Sequence, residues 1–430
     1  MLNIAQKAKE SSYILASLLE EVKNNALLAA VEGIKNNKDL ILAENKKDLE
    51  EAENLIEQGE LTKALYNRLK LDEDKISVII QGFHDVINLK DPVNKILDKT
   101  ELDEGLVLDK VSCPIGVIGV IFESRPDVVP QIAALSIKSA NAVILKGGKE
   151  AVNSNEILVK IINDALKTVK GFPENAVNLI KTREDVRKML NMEEYIDLII
   201  PRGGNDLVKY IQNNTKIPVL GHTDGICHVY IDEFADIQKA LKVCVDSKIQ
   251  YPAACNAVET ILAHKNTAQK VLPELIEKFK REEVLVKGDE RVLQIISDIE
   301  KVTEEDWATE YTDKIISIKV VDDLNGAINH INHYGSGHTD CIITENEVHR
   351  DLFMNLVDSS GVYCNVSTRF ADGFRYGFGA EVGISANKTH ARGPVGIDGL
   401  TIYKYKLYGK GQIVAEYSGK NAREFTHKKL

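Results

Sequence analysis

The sequence predicts an α/β protein with two blocks of parallel sheet covered by helices. Two observations predict it. Gly116 to Ile121, Ala142 to Leu145, Val177 to Ile180 and Leu198 to Ile200 are short apolar runs, spaced by helical stretches. Runs apolar on both faces suit strands buried in a parallel sheet, and parallel neighbours need a crossover helix between them. After about residue 220 the alternation begins again, at His228 to Ile231, Thr260 to Ala263, Ile315 to Val320, Cys341 to Thr344 and Val362 to Asn365.

Taken in order, residues 1 to about 95 read as helical. Ile14, Leu18, Val22, Ala26, Ala30, Val31 and Ile34 recur at helical spacing, while Glu10, Glu20 and Glu21 interrupt any signal-peptide core. Leu102 to Ser112 alternates apolar and polar residues, as a half-exposed strand does. Residues 371–399 are rich in glycine and short on periodicity, which predicts a long functional loop. Leu400 to Tyr408 and Gln412 to Glu416 flank Gly409-Lys410-Gly411, a hairpin signal.

The chain's 430 residues suit roughly two or three domains. A net charge of −11 argues against a nucleic-acid surface. It leaves phosphate ligands open, since local cations and backbone amides hold those. Six scattered cysteines without CxxC spacing predict neither a disulfide framework nor a zinc knuckle. No apolar run is long enough to cross a bilayer, and the expected location is the cytoplasm.

Cys255 is the candidate nucleophile. It sits in Gln250-Tyr251-Pro252-Ala253-Ala254-Cys255-Asn256-Ala257, between a helical pattern and an apolar strand, with small residues leaving room around the sulfur. The backbone amides of Cys255 and Asn256 are candidate oxyanion donors. A buried structural cysteine is the plainer alternative. Lys146-Gly147-Gly148-Lys149 closes a strand at the edge where parallel sheets bind nucleotides. Two cations there suit a ribose 2′-phosphate, so NADP rather than NAD. Gly203 and Gly204 open a helix whose N-terminal amides suit a pyrophosphate. Ser124 and Arg125, in Phe122-Glu123-Ser124-Arg125-Pro126, suit a carboxylate or acyl phosphate. His222 and Arg392 are further anion-binding candidates. No metal site is predicted: the spacing of His222, Asp224, Cys227 and His228 fits no tetrahedral pattern.

Together, VSCPIGVIGVIFESRPDVVPQIAALSIKSANAVILKGG, VLGHTDGICHVYID, YPAACNAVET, DWATEY and GFGAEVGIS with THARGPVGIDGLTIYKY resemble the gamma-glutamyl phosphate reductase (glutamate-5-semialdehyde dehydrogenase) family of the aldehyde dehydrogenase superfamily. The resemblance spans nearly the whole chain. It implies an aldehyde dehydrogenase-like α/β fold: two doubly wound parallel-sheet domains plus a β-strand oligomerisation element. It implies a cofactor-binding domain at 1–225, with 98–112 lent to the oligomerisation element. A catalytic domain follows at 226–370, then a returning loop at 371–398 and a C-terminal hairpin at 399–430. The implied reaction reduces gamma-glutamyl phosphate with NADPH to glutamate 5-semialdehyde and phosphate, the second step of proline synthesis, through a Cys255 thioester. Glu310 is similar to the glutamate holding the nicotinamide ribose, and Lys146 to the lysine reaching the adenosine ribose. Arg125 falls where the superfamily carries its oxyanion asparagine. The stretch matching the hydrolytic enzymes' general base, Leu220-Gly221-His222-Thr223, has no carboxylate, which suits phosphate as the acyl partner. A homo-oligomer and a separate glutamate 5-kinase are implied as partners. The alternatives are a phosphate-independent NAD(P) aldehyde dehydrogenase and a non-catalytic nucleotide-binding protein.

Overall fold

The computed structural model describes residues 1–221 and 224–430, so His222 lies outside the described residues. Helices α1 (Leu2–Leu15), α2 (Glu20–Asn36), α3 (Lys38–Glu57), α4 (Lys63–Leu69) and α5 (Glu73–Asn88) open the chain. Their periodic apolar positions, among them Ala8, Leu27, Val31, Ile34 and Phe83, face the first hydrophobic core. An antiparallel pair follows, β1 (Ile96–Asp103) and β2 (Leu106–Pro114). The single strand expected at Leu102 to Ser112 is therefore two. Gly105, at φ +69°, turns the chain between them.

Next come β3 (Val117–Phe122), α6 (Val128–Lys138), β4 (Ala142–Lys146), α7 (Val152–Leu166), β5 (Val177–Leu179), α8 (Arg183–Met189), β6 (Leu198–Arg202) and α9 (Asn205–Asn213). The strands form a parallel sheet in the order β5-β4-β3-β6. All six β3 residues are buried, as its unbroken apolar run requires.

The second block runs β7 (Cys227–Ile231), α10 (Ile237–Ile249), β8 (Val258–His264), α11 (Lys265–Arg281), β9 (Leu285–Gly288), α12 (Glu290–Ile295), β10 (Glu300–Lys301), β11 (Ile315–Val321), α13 (Leu324–Tyr334), β12 (Thr339–Ile343), α14 (Glu347–Leu356) and β13 (Gly361–Cys364). Its strands lie parallel in the order β10-β9-β11-β8-β7-β12-β13. Separate cores form on its two faces, one around Val229, Ile261 and Phe279, the other around Tyr230, Leu262 and Phe353. Alternate residues of β7 and β8 supply opposite cores.

The glycine-rich segment returns to the first core, which takes in Val382, Ala391, Val395, Ile397 and Leu400. Within it β14 (Ile384–Ser385) and β15 (Gly393–Pro394) form a short antiparallel ribbon. Then β16 (Thr401–Tyr408) pairs antiparallel with β2, and β17 (Lys428–Lys429) with β1. The hairpin expected around Gly409-Lys410-Gly411 does not form. β16 takes β2 as its partner instead, and Val414–Tyr417 is a single 3-10 turn. Val414 is 84% exposed, so that apolar run has no buried face to hold it as a strand. No described helix is long and apolar enough to cross a membrane.

Candidate active site

Cys255 occupies the short connection between α10 and β8. Both flanks are fixed: Lys248, in the last turn of α10, forms a fully buried ion pair with Glu259 of β8 at 2.6 Å. Between them the chain makes two tight turns, with Ala254 N–H donating to Tyr251 (3.2 Å) and Ala257 N–H to Ala254 (2.8 Å). Gly225 lies against this turn. A Cβ there would sit 2.2 Å from the Cys255 carbonyl oxygen, so only glycine allows the approach. The buried Cys227 thiol donates to the same oxygen at 3.3 Å. Among the described residues, neither the Cys255 nor the Asn256 N–H donates to a backbone carbonyl, and the Cys255 N–H points at its own sulfur, where an oxyanion would form. The Asn256 side chain is engaged elsewhere: its amide donates to Ala371 (2.7 Å).

Cys255 is partly buried. Burial pushes its thiol up to about 12, Glu310 and Glu381 push the same way, and Arg369 opposes them. Those three side chains therefore surround the sulfur closely enough for their charges to act on it. The resting group is a thiol.

One wall of the site is the carboxyl edge of the first sheet. Arg202 ends β6 and donates to Gln131 at 3.0 Å. Burial and the neighbouring Arg125 charge pull its guanidinium down to about 10, and it feels Cys255 as well. Arg125 is clamped by Asp127 at 2.7 Å. Ser124 sits in left-handed backbone at φ +42°, and its hydroxyl and amide both donate to Glu150 (2.6 and 2.8 Å). Its hydroxyl proton is thus engaged by Glu150 in the free protein.

The opposite wall is the segment after β13. Thr368 donates to the Asn256 carbonyl at 2.7 Å, and Arg369 Nε donates to Gln250 at 2.9 Å. Glu310 follows the 3-10 turn Glu305–Ala308. That turn is held by Asp306, which accepts from Lys287 (2.7 Å), Tyr311 (2.6 Å) and Thr303 (2.7 and 2.8 Å). Burial alone would raise the Asp306 carboxyl; those donors outweigh it and hold it far below the usual range.

At the nucleotide edge Lys146 ends β4, half-buried, and no described carboxylate forms an ion pair with it. Burial lowers its ammonium, while Glu150 and Arg183 act on it with opposite signs. Such a cation fits an anionic or hydroxyl-rich ligand. Gly147 is required by packing, because a Cβ would lie 2.1 Å from the Asn155 amide. Lys149 is exposed, 3.5 Å from Glu60. The N-terminus of α9, expected to face a pyrophosphate, carries a carboxylate of the chain itself. Gly204 N–H donates to Glu123 at 3.1 Å, and a Cβ on Gly203 would lie 2.5 Å from that group. Glu123 satisfies the helix's free amide and its partial positive charge. Arg392 pairs with Asp358 at 3.0 Å and lines a cavity of about 490 Å³ with Lys90, Lys95, Tyr376 and His390. Cys255 is not among its lining residues. Among the described residues, no group of His, Cys, Asp or Glu is arranged to hold a metal.

Sequence reasoning missed Arg202, Arg369 and Glu381. Arg202 had a signal, as the last strand residue before Gly203-Gly204. Arg369 and Glu381 lie where periodicity fails, and only the fold brings them to Cys255.

The aldehyde dehydrogenase family model matches residues 16–294. A gamma-glutamyl phosphate reductase of Brachyspira hyodysenteriae is 57% identical over 432 residues, covering 100% of this chain and 99% of that protein. One from Methanosarcina mazei is 54% identical, covering 99% and 96%. The crystal structure of the Thermotoga maritima gamma-glutamyl phosphate reductase superposes with a TM-score of 0.93 at 40% identity, covering 96% of this chain and 99% of that one. An acetylating aldehyde dehydrogenase from Geobacillus thermoglucosidasius, at 17% identity and TM-score 0.64, shares the fold. A full-length match to these reductases, on a fold that sets the partly buried Cys255 thiol beside guanidiniums, places this chain in the gamma-glutamyl phosphate reductase family of the aldehyde dehydrogenases.

Proposed function

We propose that the protein reduces gamma-glutamyl phosphate with NADPH to glutamate 5-semialdehyde and phosphate, the second step of proline synthesis from glutamate. The observation that carries this is the charge around the thiol. Arg125 and Arg202 lie together at the carboxyl edge of the first sheet, and Arg202 is near enough to Cys255 to feel its charge, a pair of guanidiniums suited to a phosphoryl group.

Cys255 sulfur attacks the acyl carbon. The C–O bond to phosphate breaks, and the thiol proton leaves on the departing phosphate, so no separate base is required. Cys255 and Asn256 N–H groups stabilise the oxyanion, and Arg125 and Arg202 take the phosphate charge. The nicotinamide, when bound, supplies the hydride that brings the Cys255 thioester to the aldehyde level. Glu310 holds the nicotinamide ribose. Lys146, with Arg183 acting on the same region, favours NADP through its 2′-phosphate. Gly147, Lys149, Gly203 and Gly204 shape that edge. Arg392 and His222 are the remaining candidates for the phosphoryl group, and His222 lies outside the described residues.

On this reading residues 1–225 bind the cofactor and 226–370 carry the nucleophile. Sheet β16-β2-β1-β17 is the oligomerisation element. Tyr405, Leu407 and Tyr408 of β16 are more than half exposed, a surface that suits a second copy of the chain. A separate kinase supplies the acyl phosphate, and the location is cytoplasmic.

The test is NADP reduction by glutamate 5-semialdehyde, with and without phosphate, in wild type and Cys255→Ala. Strictly phosphate-dependent turnover that vanishes in the variant is expected. Turnover without phosphate would assign a hydrolytic aldehyde dehydrogenase instead.

A further inference from the structure

The acyl-phosphate chemistry accounts for the cations of the first wall, but not for the opposite charges on the second. Arg369 is 9% exposed and fixed from several sides. Its Nε donates to Gln250 (2.9 Å), its guanidinium lies 5.9 Å from the centre of the Tyr251 ring, and its carbonyl accepts from Arg375 (2.5 Å). Gln250 and Tyr251 belong to the nucleophile turn. Among the described residues, the two terminal nitrogens of Arg369 donate to nothing. Twelve residues on, Glu381 is folded back onto the same segment. One carboxylate oxygen accepts from Gly373 N–H at 2.8 Å, and a Cβ on Gly373 would lie 2.8 Å from Glu381 Cβ. Its other oxygen has no described donor. Both side chains act electrostatically on the Cys255 sulfur.

A fixed cation and a fixed anion, each with an unused end near one thiol, match a zwitterion. Reduction of an acyl group requires neither charge. The substrate of the proposed reaction carries such a pair on its α-carbon, a few bonds from the carbon that Cys255 attacks. Arg125 and Arg202 lie together on the other wall, where the phosphoryl group departs, leaving Arg369 for the second anion. We propose that Arg369 binds the α-carboxylate and Glu381 the α-ammonium of the glutamyl chain, so that these two residues set the preference for an α-amino acid. Burial raises the Glu381 carboxyl in the free protein. Arg202 and Arg375 oppose that rise from a distance, and a substrate ammonium would add a counter-charge in direct contact.

This rests on the function proposed above, and the two fail differently. The experiment measures phosphate-dependent NADP reduction with three aldehydes: glutamate 5-semialdehyde, 5-oxopentanoate (which lacks only the α-ammonium) and 4-aminobutanal (which lacks only the α-carboxylate). Wild type, Glu381→Gln and Arg369→Lys are compared as ratios of kcat/KM, so the cyclised fraction of each aldehyde cancels between enzymes. Wild type prefers the full substrate over both analogues. In Glu381→Gln the preference over 5-oxopentanoate falls about a hundredfold, while the preference over 4-aminobutanal falls far less. Arg369→Lys shows the reverse pattern. Equal losses on all three aldehydes would mean a structural or acid–base role and overturn the proposal. A loss in Arg369→Lys that appears in the KM for phosphate would assign Arg369 to the phosphoryl group and overturn its half. Should Glu381→Gln fail to fold, Glu381→Asp tests the same point: it keeps the charge and must keep most of the preference over 5-oxopentanoate. Failure of the underlying function appears separately, as wild type without phosphate-dependent turnover.

Discussion

The proposed nucleophile, Cys255, has its thiol pushed up to about 12. Burial is the first cause, and Glu310 the second. Glu310→Gln removes one anion beside the sulfur, so the thiol ionises more readily. Iodoacetamide labelling of Cys255 near pH 8 should then run several-fold faster than in wild type, even as the KM for NADPH rises. Unchanged labelling would place Glu310 too far from the sulfur to matter. Arg125→Lys keeps the charge but loses the fork that spreads over phosphoryl oxygens. A fall in kcat/KM on the acyl phosphate of roughly tenfold or more is expected, and an unchanged value removes Arg125 from the phosphate path. The thiol itself was legible in the sequence, because small residues and a strand–turn boundary mark it locally. Its electrostatic surroundings were not. Arg369 and Glu381 lie more than a hundred residues further along the chain, in a stretch without periodicity to place it.

At the scale of elements, the turn between α10 and β8 depends on its fit to Gly225. Gly225→Ala pushes a methyl group into the Cys255 carbonyl. Displacing the sulfur by about 1 Å costs on the order of a hundredfold in kcat. The variant should lose that much turnover while its circular dichroism matches wild type. Asp306 fixes the turn carrying Glu310. Its carboxyl is depressed in the folded protein, so the stability it contributes is present above the unfolded value of about 4 and is lost as pH falls below that. Asp306→Asn should flatten the acid limb of the stability curve below about pH 4 and destabilise the protein at pH 7; an unchanged acid limb would remove Asp306 as its source. The buried strands were readable because a parallel sheet demands apolar residues on both faces. β9, whose two apolar residues give way to Lys287 and Gly288, and β10, two charged residues, were not. The expected C-terminal hairpin failed for a related reason: β16 is claimed by β2, some three hundred residues earlier, and local spacing carries no record of such a partner.

Over the whole molecule, the carboxyl edge of the first parallel sheet lies beside the amino edge of the second, where the thiol precedes β8, and a third, antiparallel sheet carries exposed aromatics. Replacing Tyr405 and Leu407 by lysine should reduce the mass measured by light scattering to that of a single chain, with the fold retained. An unchanged mass would move the self-association surface off β16. Val382, Ala391, Val395, Ile397 and Leu400 complete a core whose other buried residues come before 221, and β16 and β17 complete a sheet begun at residue 96. During synthesis these pieces leave the ribosome after the second block. The first half of the chain must therefore wait, its core unclosed and the edges of β1 and β2 unpaired, while the whole second block is made. At about 5–20 residues per second that interval is on the order of ten seconds or more. It is the period in which the nascent chain is most exposed to aggregation and most dependent on chaperones.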